Sequence, residues 1–440
     1  EIAFSITNGR PITCLDFDTK FRNRFVASYA GSVLPSMIRS AEDDDSKKEE
    51  KTDSGEDGGD ANAGSNPMIN IQSDGLINIF EFDRETQKYV LVRGLECQSM
   101  INCVQFHPSK ENMIIGASVS GQVLGWDMSS NKKTPSIRTE FSSSCHTQPI
   151  FALKFLPSMM GGFVSSTKMQ QLLTLSNDGK LCVWRDDMLY QPNNEFLLKL
   201  SKTNTSMSGA NSSSSATANQ AKEITTTCFS YPKSFSDNNN KLWLGSDEGC
   251  IYETALNLDK NDEKELLITS YIANAHYGPV TNVTFHFCAS QENKERKYPI
   301  QSGLYLTCSF DWTVKLWHIS SKKYLALFNQ MEDYVYDVQW SPTNPSIFAV
   351  VDGSGNLTLF DLNVSFERPV SEPTNILAAD NKKQEISITK LLWSPNGKQI
   401  IVGDSNGRLT IFECPAYDPT DADFDKFEEI IKRKLESNDR

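Results

Sequence analysis

A short pattern of apolar and polar positions recurs along the chain and predicts its secondary structure. A β-branched residue is followed three positions later by an apolar or small residue and five positions later by an aromatic one. The seven copies are Ile12/Leu15/Phe17, Ile101/Val104/Phe106, Ile150/Leu153/Phe155, Ile224/Thr227/Phe229, Val280/Val283/Phe285, Val335/Val338/Trp340 and Ile388/Leu391/Trp393. Each copy predicts a short strand that is at least half buried.

Each predicted strand precedes a second apolar run, a tight turn and a third strand. The turns and third strands are SDGLINIFEF (73–82), VSGQVLGWDM (119–128), NDGKLCVWRD (177–186), DEGCIYETAL (247–256), FDWTVKLWHI (310–319), GSGNLTLFDL (353–362) and SNGRLTIFEC (405–414). Copies without an intervening insertion lie about 50 residues apart, which is the size of a four-stranded propeller blade. The sequence therefore predicts an all-β fold, a seven-bladed β-propeller, followed by a short C-terminal α-helix.

The two ends of the chain have separate predicted roles. Residues 1–7 (EIAFSIT) alternate apolar and polar positions, and we expect them to supply the outer strand that the seventh copy lacks. The propeller then covers 1–415, and the helix and tail cover 416–440. The apolar face of the helix contains Phe424, Phe427, Ile431 and Leu435. We expect this face to pack on the propeller, and binding of a partner by the helix is the alternative.

Composition narrows the classes of partner. The chain has 440 residues and a net charge of −13, and more than half of that charge lies within 41–60. The polar stretches 41–66 and 201–222 are expected to be disordered inserts. No basic stripe is available for phosphates, so a nucleic acid is not an expected partner. No apolar run approaches the length of a membrane span, so no membrane is expected either.

Cysteine usage indicates neither a metal site nor a disulfide framework. The ten cysteines are scattered, and no C-x-x-C pair occurs. Most lie within strand-like apolar runs, which is typical of buried, reduced thiols in a cytosolic protein. The chain starts at Glu1 without a charged and apolar leader, and we interpret it as a fragment or a processed product.

Two copies carry a histidine, a serine, a turn aspartate and a tryptophan at matching spacings. They are His146, Ser176, Asp178 and Trp184 in the third copy, and His276, Ser309, Asp311 and Trp317 in the fifth. Such a set forms the hydrogen-bonded tetrad that typifies WD repeats. A buried polar network of this kind makes a blade rigid. We therefore interpret both histidines as structural groups rather than as acid–base catalysts.

Enzyme motifs are weak in this sequence. Residues 403–407 (GDSNG) match the G-x-S-x-G nucleophile elbow, but they lie in a predicted turn between two strands, whereas the elbow requires a helix after the serine. No phosphate-binding loop, zinc-protease motif or calcium loop occurs. We predict a binding module without catalytic residues, cofactor or metal.

Aromatic residues gather around the turn of the fifth copy. Trp312 occupies the position where other copies have glycine, and Phe310 lies two residues before it. Tyr277 precedes the first strand of that copy, while Tyr334 and Tyr336 lie at the start of the sixth. Because these loops emerge on the same face of a propeller, we expect the five side chains to form a partner-binding patch. The alternative is that Trp312 lies flat on its own blade and that the tyrosines only cap loops.

Several segments resemble one protein family closely. They are SFDWTVKLW (309–317), YVYDVQWSPTNPSIFAVVDGSGNLTLFDLN (334–363), SGQVLGWDMSSNKKTPSIRT (120–139), HTQPI (146–150), HYGPVT (276–281) and LLWSPNGKQIIVGDSNGRLTIF (391–412). From Pro11 to Leu435 the chain resembles the WD-repeat half of cytoplasmic dynein intermediate chains.

The resemblance implies a non-catalytic subunit of a microtubule motor in the cytoplasm. In that family the propeller docks on the tail of the motor heavy chain, and an extended N-terminal region recruits light chains and dynactin. That region is not in this sequence, so those two partners are expected of the parent protein only. A WD-repeat adaptor of another multiprotein complex is the alternative.

Overall fold

Short strands joined by turns continue from Ile12 to Glu413 and form seven blades, as the repeat predicts. The computed structural model describes residues 7, 9–31, 74–156, 170–200, 224–232, 240–256, 265–287, 300–376, 386–414 and 418–438. Each blade is an antiparallel sheet with its strands in chain order. The first strand of every blade contacts the first strand of the next blade around the whole ring. The seven-bladed propeller is therefore confirmed.

The strands of the first three blades begin and end as follows. Blade 1 contains β1 (Ile12–Phe17), β2 (Arg24–Tyr29), β3 (Gly75–Asp83) and β4 (Lys88–Cys97). Blade 2 contains β5 (Ile101–Phe106), β6 (Met113–Ser118), β7 (Val123–Asp127) and β8 (Ile137–Arg138). Blade 3 contains β9 (Ile150–Phe155), β10 (Gln171–Ser176), β11 (Lys180–Arg185) and β12 (Asn194–Lys199).

The remaining blades follow the same order. Blade 4 contains β13 (Thr226–Ser230), β14 (Lys241–Ser246), β15 (Ile251–Ala255) and β16 (Glu265–Ile272). Blade 5 contains β17 (Val280–Phe285), β18 (Leu304–Ser309), β19 (Val314–His318) and β20 (Ala326–Phe328). Blade 6 contains β21 (Val335–Trp340), β22 (Ile347–Asp352), β23 (Asn356–Asp361) and β24 (Thr374–Asn375). Blade 7 contains β25 (Ile388–Trp393), β26 (Gln399–Asp404) and β27 (Leu409–Glu413), and the helix α1 covers Asp421–Asn438.

Every first strand has a β-bulge at its second residue. In five blades the side chain of this residue bonds to the next blade. A bulge redirects the side chain of the extra residue. Thr13 Oγ1 donates a hydrogen bond of 2.7 Å to the Ile101 carbonyl of blade 2. Thr281 bonds to blade 6 in the same way at 2.8 Å, and Thr389 bonds to the Ile12 carbonyl at 2.7 Å. The last bond joins blade 7 to blade 1, so the inner strands form a closed ring.

The fourth blade corrects the predicted register by two residues. β13 begins at Thr226, and its bulge residue Thr227 bonds to the first residue of β17. The repeat positions are therefore Thr226, Phe229 and Tyr231, whereas the sequence pattern predicted Ile224, Thr227 and Phe229. A shift by two residues leaves the same side chains on the same face of a strand, so alternation alone does not fix this register.

The edges of the ring differ from the plain repeat in two places. The outer strands β12 and β16 pair in parallel, so blades 3 and 4 share one sheet. Blade 7 has three strands within the described residues. The Gly9 amide donates to the Asn406 carbonyl at 3.0 Å, so the chain passes the β26–β27 turn just before β1.

Three predicted segments fall mostly or wholly outside the described residues. Of the closing strand at 1–7, the structure describes Thr7 alone, and ring closure by this strand stays a prediction. The inserts predicted at 41–66 and 201–222 lie outside the described residues altogether.

The C-terminal helix packs against blades 5 and 6. Phe427 and Ile431 are fully buried in the core that these blades share, and Leu435 packs against its edge. Gln301 Nε2 donates to the Phe424 carbonyl at 2.9 Å, from the loop between β17 and β18. The predicted apolar face and its packing on the propeller are therefore confirmed. No described helix is long and apolar enough to cross a membrane.

Candidate partner-binding surface

Blade 3 contains a relay of buried hydrogen bonds from its third strand to the loop before its first strand. The Trp184 indole N–H donates to Thr174 Oγ1 at 2.7 Å, and the same oxygen lies 2.7 Å from His146 Nε2. His146 Nδ1 lies 3.4 Å from the Asp178 carboxylate, which also accepts the Thr147 amide at 3.0 Å. An indole only donates and a carboxylate only accepts, so each proton in the relay points toward the aspartate.

Blade 5 repeats this relay with shorter contacts at the aspartate. The Trp317 indole donates to Thr307 Oγ1 at 2.8 Å, and Thr307 Oγ1 lies 2.7 Å from His276 Nε2. His276 Nδ1 lies 3.0 and 3.2 Å from the two Asp311 oxygens. Asp311 also accepts the Tyr277 amide at 2.9 Å, which attaches the loop before β17 to the turn between β18 and β19.

The hydroxyl of each tetrad belongs to a threonine, and the predicted serines are wrong. Ser176 Oγ donates to the Gln148 carbonyl and Ser309 Oγ to the Gly278 carbonyl, both at 3.0 Å. In blade 3 the threonine and the serine lie two residues apart on one face of β10. The spacing in the sequence therefore could not show which of the two hydroxyl groups belongs to the tetrad. Trp184 pairs with Leu172 on β10, which brings its indole closer to Thr174 than to Ser176.

The charge state of each relay suits a structural role. Burial opposes the charge of Asp178, but bonds from His146 and the Thr147 amide outweigh it and lower the pKa to about 2. The corresponding bonds lower the pKa of Asp311 below its usual range. Burial lowers the pKa of His276 in spite of the neighbouring carboxylate, so this imidazole is neutral. A neutral histidine that is 1% exposed supports the loop rather than exchanging protons with solvent.

The turn between the second and third strands has the same backbone in six blades, with one exceptional residue. Its left-handed position is occupied by glycine in five of them: Gly121 (φ +81°), Gly179 (+71°), Gly249 (+77°), Gly355 (+79°) and Gly407 (+80°). Blade 5 has Trp312 there, with φ +67°. A positive φ in a bulky residue is a true outlier and costs about 1–3 kcal/mol. The turn itself therefore does not explain the tryptophan.

The predicted aromatic patch lies on the face that carries these turns, and we call Tyr277, Phe310, Trp312, Tyr334 and Tyr336 the aromatic surface. The Phe310 ring lies 5.0 Å from Tyr334 and 5.4 Å from Tyr336, between centroids. Trp312 and Tyr334 are each 48% exposed and Tyr277 is 92% exposed. The structure thus brings three rings into contact, while the described ring contacts do not include Trp312.

Tyr277 rests on a residue that sequence reasoning missed. Lys315 is 7% exposed, and its Nζ donates to the Ala275 carbonyl at 2.5 Å. The same ammonium group lies 5.9 Å from the Tyr277 ring centroid and 5.5 Å from that of Tyr324, within the range of cation–π attraction. The sequence feature that could have identified Lys315 is its position two residues before Trp317, which places both side chains on the same buried face of β19.

The structure gives no support to a hydrolase reading of the GDSNG motif. Ser405 lies in the turn between β26 and β27, and its Oγ accepts the Ser387 amide at 3.2 Å. A strand follows this serine, whereas a nucleophile elbow leads into a helix. Within the described ranges no group of three or more metal-ligating side chains comes together.

Two comparisons with known proteins indicate what this chain is similar to. The family profile of the anaphase-promoting complex subunit 4 WD40 domain matches residues 338–418. A cytoplasmic dynein 1 intermediate chain of Drosophila melanogaster is 30% identical over 344 residues, which are 78% of this chain and 44% of that protein. The chain thus spans less than half the length of that relative. The expected resemblance to the WD-repeat half of cytoplasmic dynein intermediate chains is confirmed.

Proposed function

We propose that this chain, a relative of cytoplasmic dynein intermediate chains, is the propeller of a non-catalytic subunit of the cytoplasmic dynein motor. The propeller docks on the tail of the motor heavy chain. It thereby supports the recruitment of cargo and dynactin for minus-end-directed transport along microtubules in the cytoplasm. Light chains and dynactin bind a part of the parent protein that lies outside this sequence.

The aromatic surface is the docking site in this proposal, and Trp312 is the observation that carries it. A tryptophan that is half exposed and holds a left-handed backbone reduces the stability of the free protein. Clustered tryptophan and tyrosine side chains on a rigid support are the usual components of an interface hot spot. The tetrad of blade 5 supplies that support, because Asp311 holds both the turn and the Tyr277 loop.

A double variant tests this docking site. Trp312→Ala together with Tyr334→Ala should weaken binding to a purified heavy-chain tail by at least about 2 kcal/mol, because both exposed rings leave the interface. Affinity is measured by titration, and circular dichroism and thermal melting verify the fold. The matched control is Phe141→Ala with Tyr190→Ala, which removes two other exposed rings from blades 2 and 3. A double variant that binds as tightly as this control places the docking surface elsewhere.

Capture from cytosol tests the assignment to a motor. The tagged chain should bring down a very large heavy chain, identified by mass spectrometry. Capture of a different complex, with no motor heavy chain, would establish the alternative function as a WD-repeat adaptor.

A further inference from the structure

The first strands of the seven blades line the central channel of the propeller, and all seven lie within the described residues. Their fourth and sixth residues pack in the core, as Leu15 and Phe17 do in blade 1. Because side chains alternate along a strand, the third and fifth residues face the channel instead. Lys390 is the third residue of its strand in blade 7, and Lys154 is the fifth residue of its strand in blade 3. Two lysines therefore project into the channel.

The two lysines approach each other from opposite sides of the ring. Two blades separate blade 7 from blade 3 in one direction, and three blades separate them in the other. Both side chains are half-buried. Burial lowers the pKa of Lys154, and the positive charge of Lys390 adds to this shift, so the two ammonium groups are close enough to repel each other.

Lys390 differs from the other polar side chains of this lining in its hydrogen bonds. Most of them bond to the next blade, as Cys103 Sγ does to the Phe151 carbonyl at 2.9 Å. Lys390 Nζ has no acceptor among the described residues, and Lys154 Nζ has one, Ser230 Oγ at 3.3 Å. An ammonium group has three donors, and an enclosed charge without a partner is costly. Most donors of the two groups are therefore available to a ligand.

The acids of the channel lining do not cancel both lysines at neutral pH. Among the third and fifth residues of the first strands, Asp16 and Asp337 are the acids. Burial raises the pKa of Asp16 to about 8, so its carboxyl group is protonated and neutral at pH 7. Asp337 already accepts the Asn282 side-chain amide at 2.6 Å and the Leu391 amide at 3.2 Å. Burial also raises the pKa of the channel thiols, which stay neutral. Two lysines therefore face one carboxylate.

We propose that the central channel binds a small oxyanion, of the type of inorganic phosphate, between the ammonium groups of Lys390 and Lys154. Lysine binds phosphate through charge-assisted hydrogen bonds from its ammonium group. Channel walls of low dielectric constant strengthen this attraction relative to the same pair of charges in water. The negative charge of the anion also offsets the repulsion between the two lysines. The site lies inside the ring, away from the aromatic surface, so it does not depend on the proposed function.

Titration calorimetry of the whole chain with sodium phosphate tests this site, with sodium chloride holding the ionic strength constant. The unmodified chain should bind phosphate saturably. Lys390→Met should weaken the affinity at least about tenfold, because a charge-assisted hydrogen bond to the anion is lost. Lys154→Met should weaken it to a similar extent, because the anion lies between the two ammonium groups.

Lys132→Met is the matched control. It makes the same substitution and the same change in net charge, but Lys132 is exposed in the loop between β7 and β8. The phosphate affinity of this control should stay within about twofold of that of the unmodified chain. Thermal melting gives a second measurement: phosphate should raise the melting temperature of the control more than that of Lys390→Met, because a ligand stabilises only the state that binds it. Melting without phosphate verifies that each variant folds.

Three results would overturn this inference. The first is an unmodified chain that binds no phosphate saturably. The second is equal affinity in Lys390→Met, Lys154→Met and the control, which places any bound anion outside the channel. The third is a loss in only one of the two channel variants, which refutes a site shared by both lysines. Trp312→Ala with Tyr334→Ala should bind phosphate normally, so this test and the heavy-chain docking test can fail independently.

Discussion

Blades 3 and 5 share one relay inside and differ at the left-handed residue of the turn. Each holds a tryptophan, threonine, histidine and aspartate in the same relay, and each turn contains a left-handed residue directly after the aspartate. That residue is Gly179 in blade 3 and Trp312 in blade 5. Blade 3 shows that glycine satisfies the turn, so the backbone of the turn by itself does not require the tryptophan.

Deleting the aspartate of each blade should have the largest effect on stability. Asp311→Ala leaves the buried His276 N–H, the Tyr277 loop amide and the Thr313 turn amide without their acceptor, which should cost about 1–3 kcal/mol. Asp178→Ala should cost less, because its contact to His146 is longer. Denaturant unfolding measures both. Unchanged unfolding free energies in both variants would refute a structural role for the relays.

Acid should remove part of the same stabilisation. The pKa of Asp178 is about 2 in the folded chain against an ordinary value of 3.8, so its contribution is complete above about pH 4. As the pH falls from 4 toward 2, the folded carboxylate takes up a proton later than the unfolded one, and the stabilisation is lost. The difference in unfolding free energy between the unmodified chain and Asp178→Asn should therefore shrink over this range. A constant difference contradicts the lowered pKa.

Exchanging hydroxyl residues should distinguish the threonines from the serines. Thr307→Val leaves His276 and Trp317 without a shared partner inside the blade, and should cost about 1–3 kcal/mol. Ser309→Ala removes the bond to the Gly278 carbonyl and the bond from the Asp311 amide, but it leaves His276 and Trp317 paired and should cost about 1 kcal/mol. Thermal melting of the two variants, with Thr174→Val and Ser176→Ala as the blade 3 pair, measures the order. A larger loss from the serines would restore the tetrad that the sequence predicted.

The smallest expected effect is a gain in stability, from the variant Trp312→Gly. Trp312→Gly relieves the strain of the left-handed backbone, whereas the extra conformational entropy of glycine stabilises the unfolded chain. The free energy of unfolding should therefore rise by about 0.5–1 kcal/mol. Gly179→Ala should destabilise blade 3, because an alanine Cβ strains the same backbone and approaches the Ile224 carbonyl at 3.1 Å. Denaturant unfolding measures both variants. A loss of stability in Trp312→Gly would show that the tryptophan serves the fold of its own blade.

The sequence by itself determined the number of blades, most strands and the buried face of the helix. These features follow from the spacing of apolar residues, which recur at every second position in a strand and at every third or fourth position in a helix. The histidines, aspartates and tryptophans of the two relays were also visible, because they stand at fixed distances from recognisable strands.

Only the tertiary structure decided which hydroxyl residue joins each tetrad and at which residue β13 begins. Thr174 and Ser176 share a face of one strand, and the start of β13 shifts by two without moving a side chain across the sheet, because the period of a strand is two. Lys315 and Tyr324 became visible only when distant segments met around Tyr277. The sequence showed a tryptophan in place of a glycine, but only the folded turn shows its positive φ and its half-exposed ring.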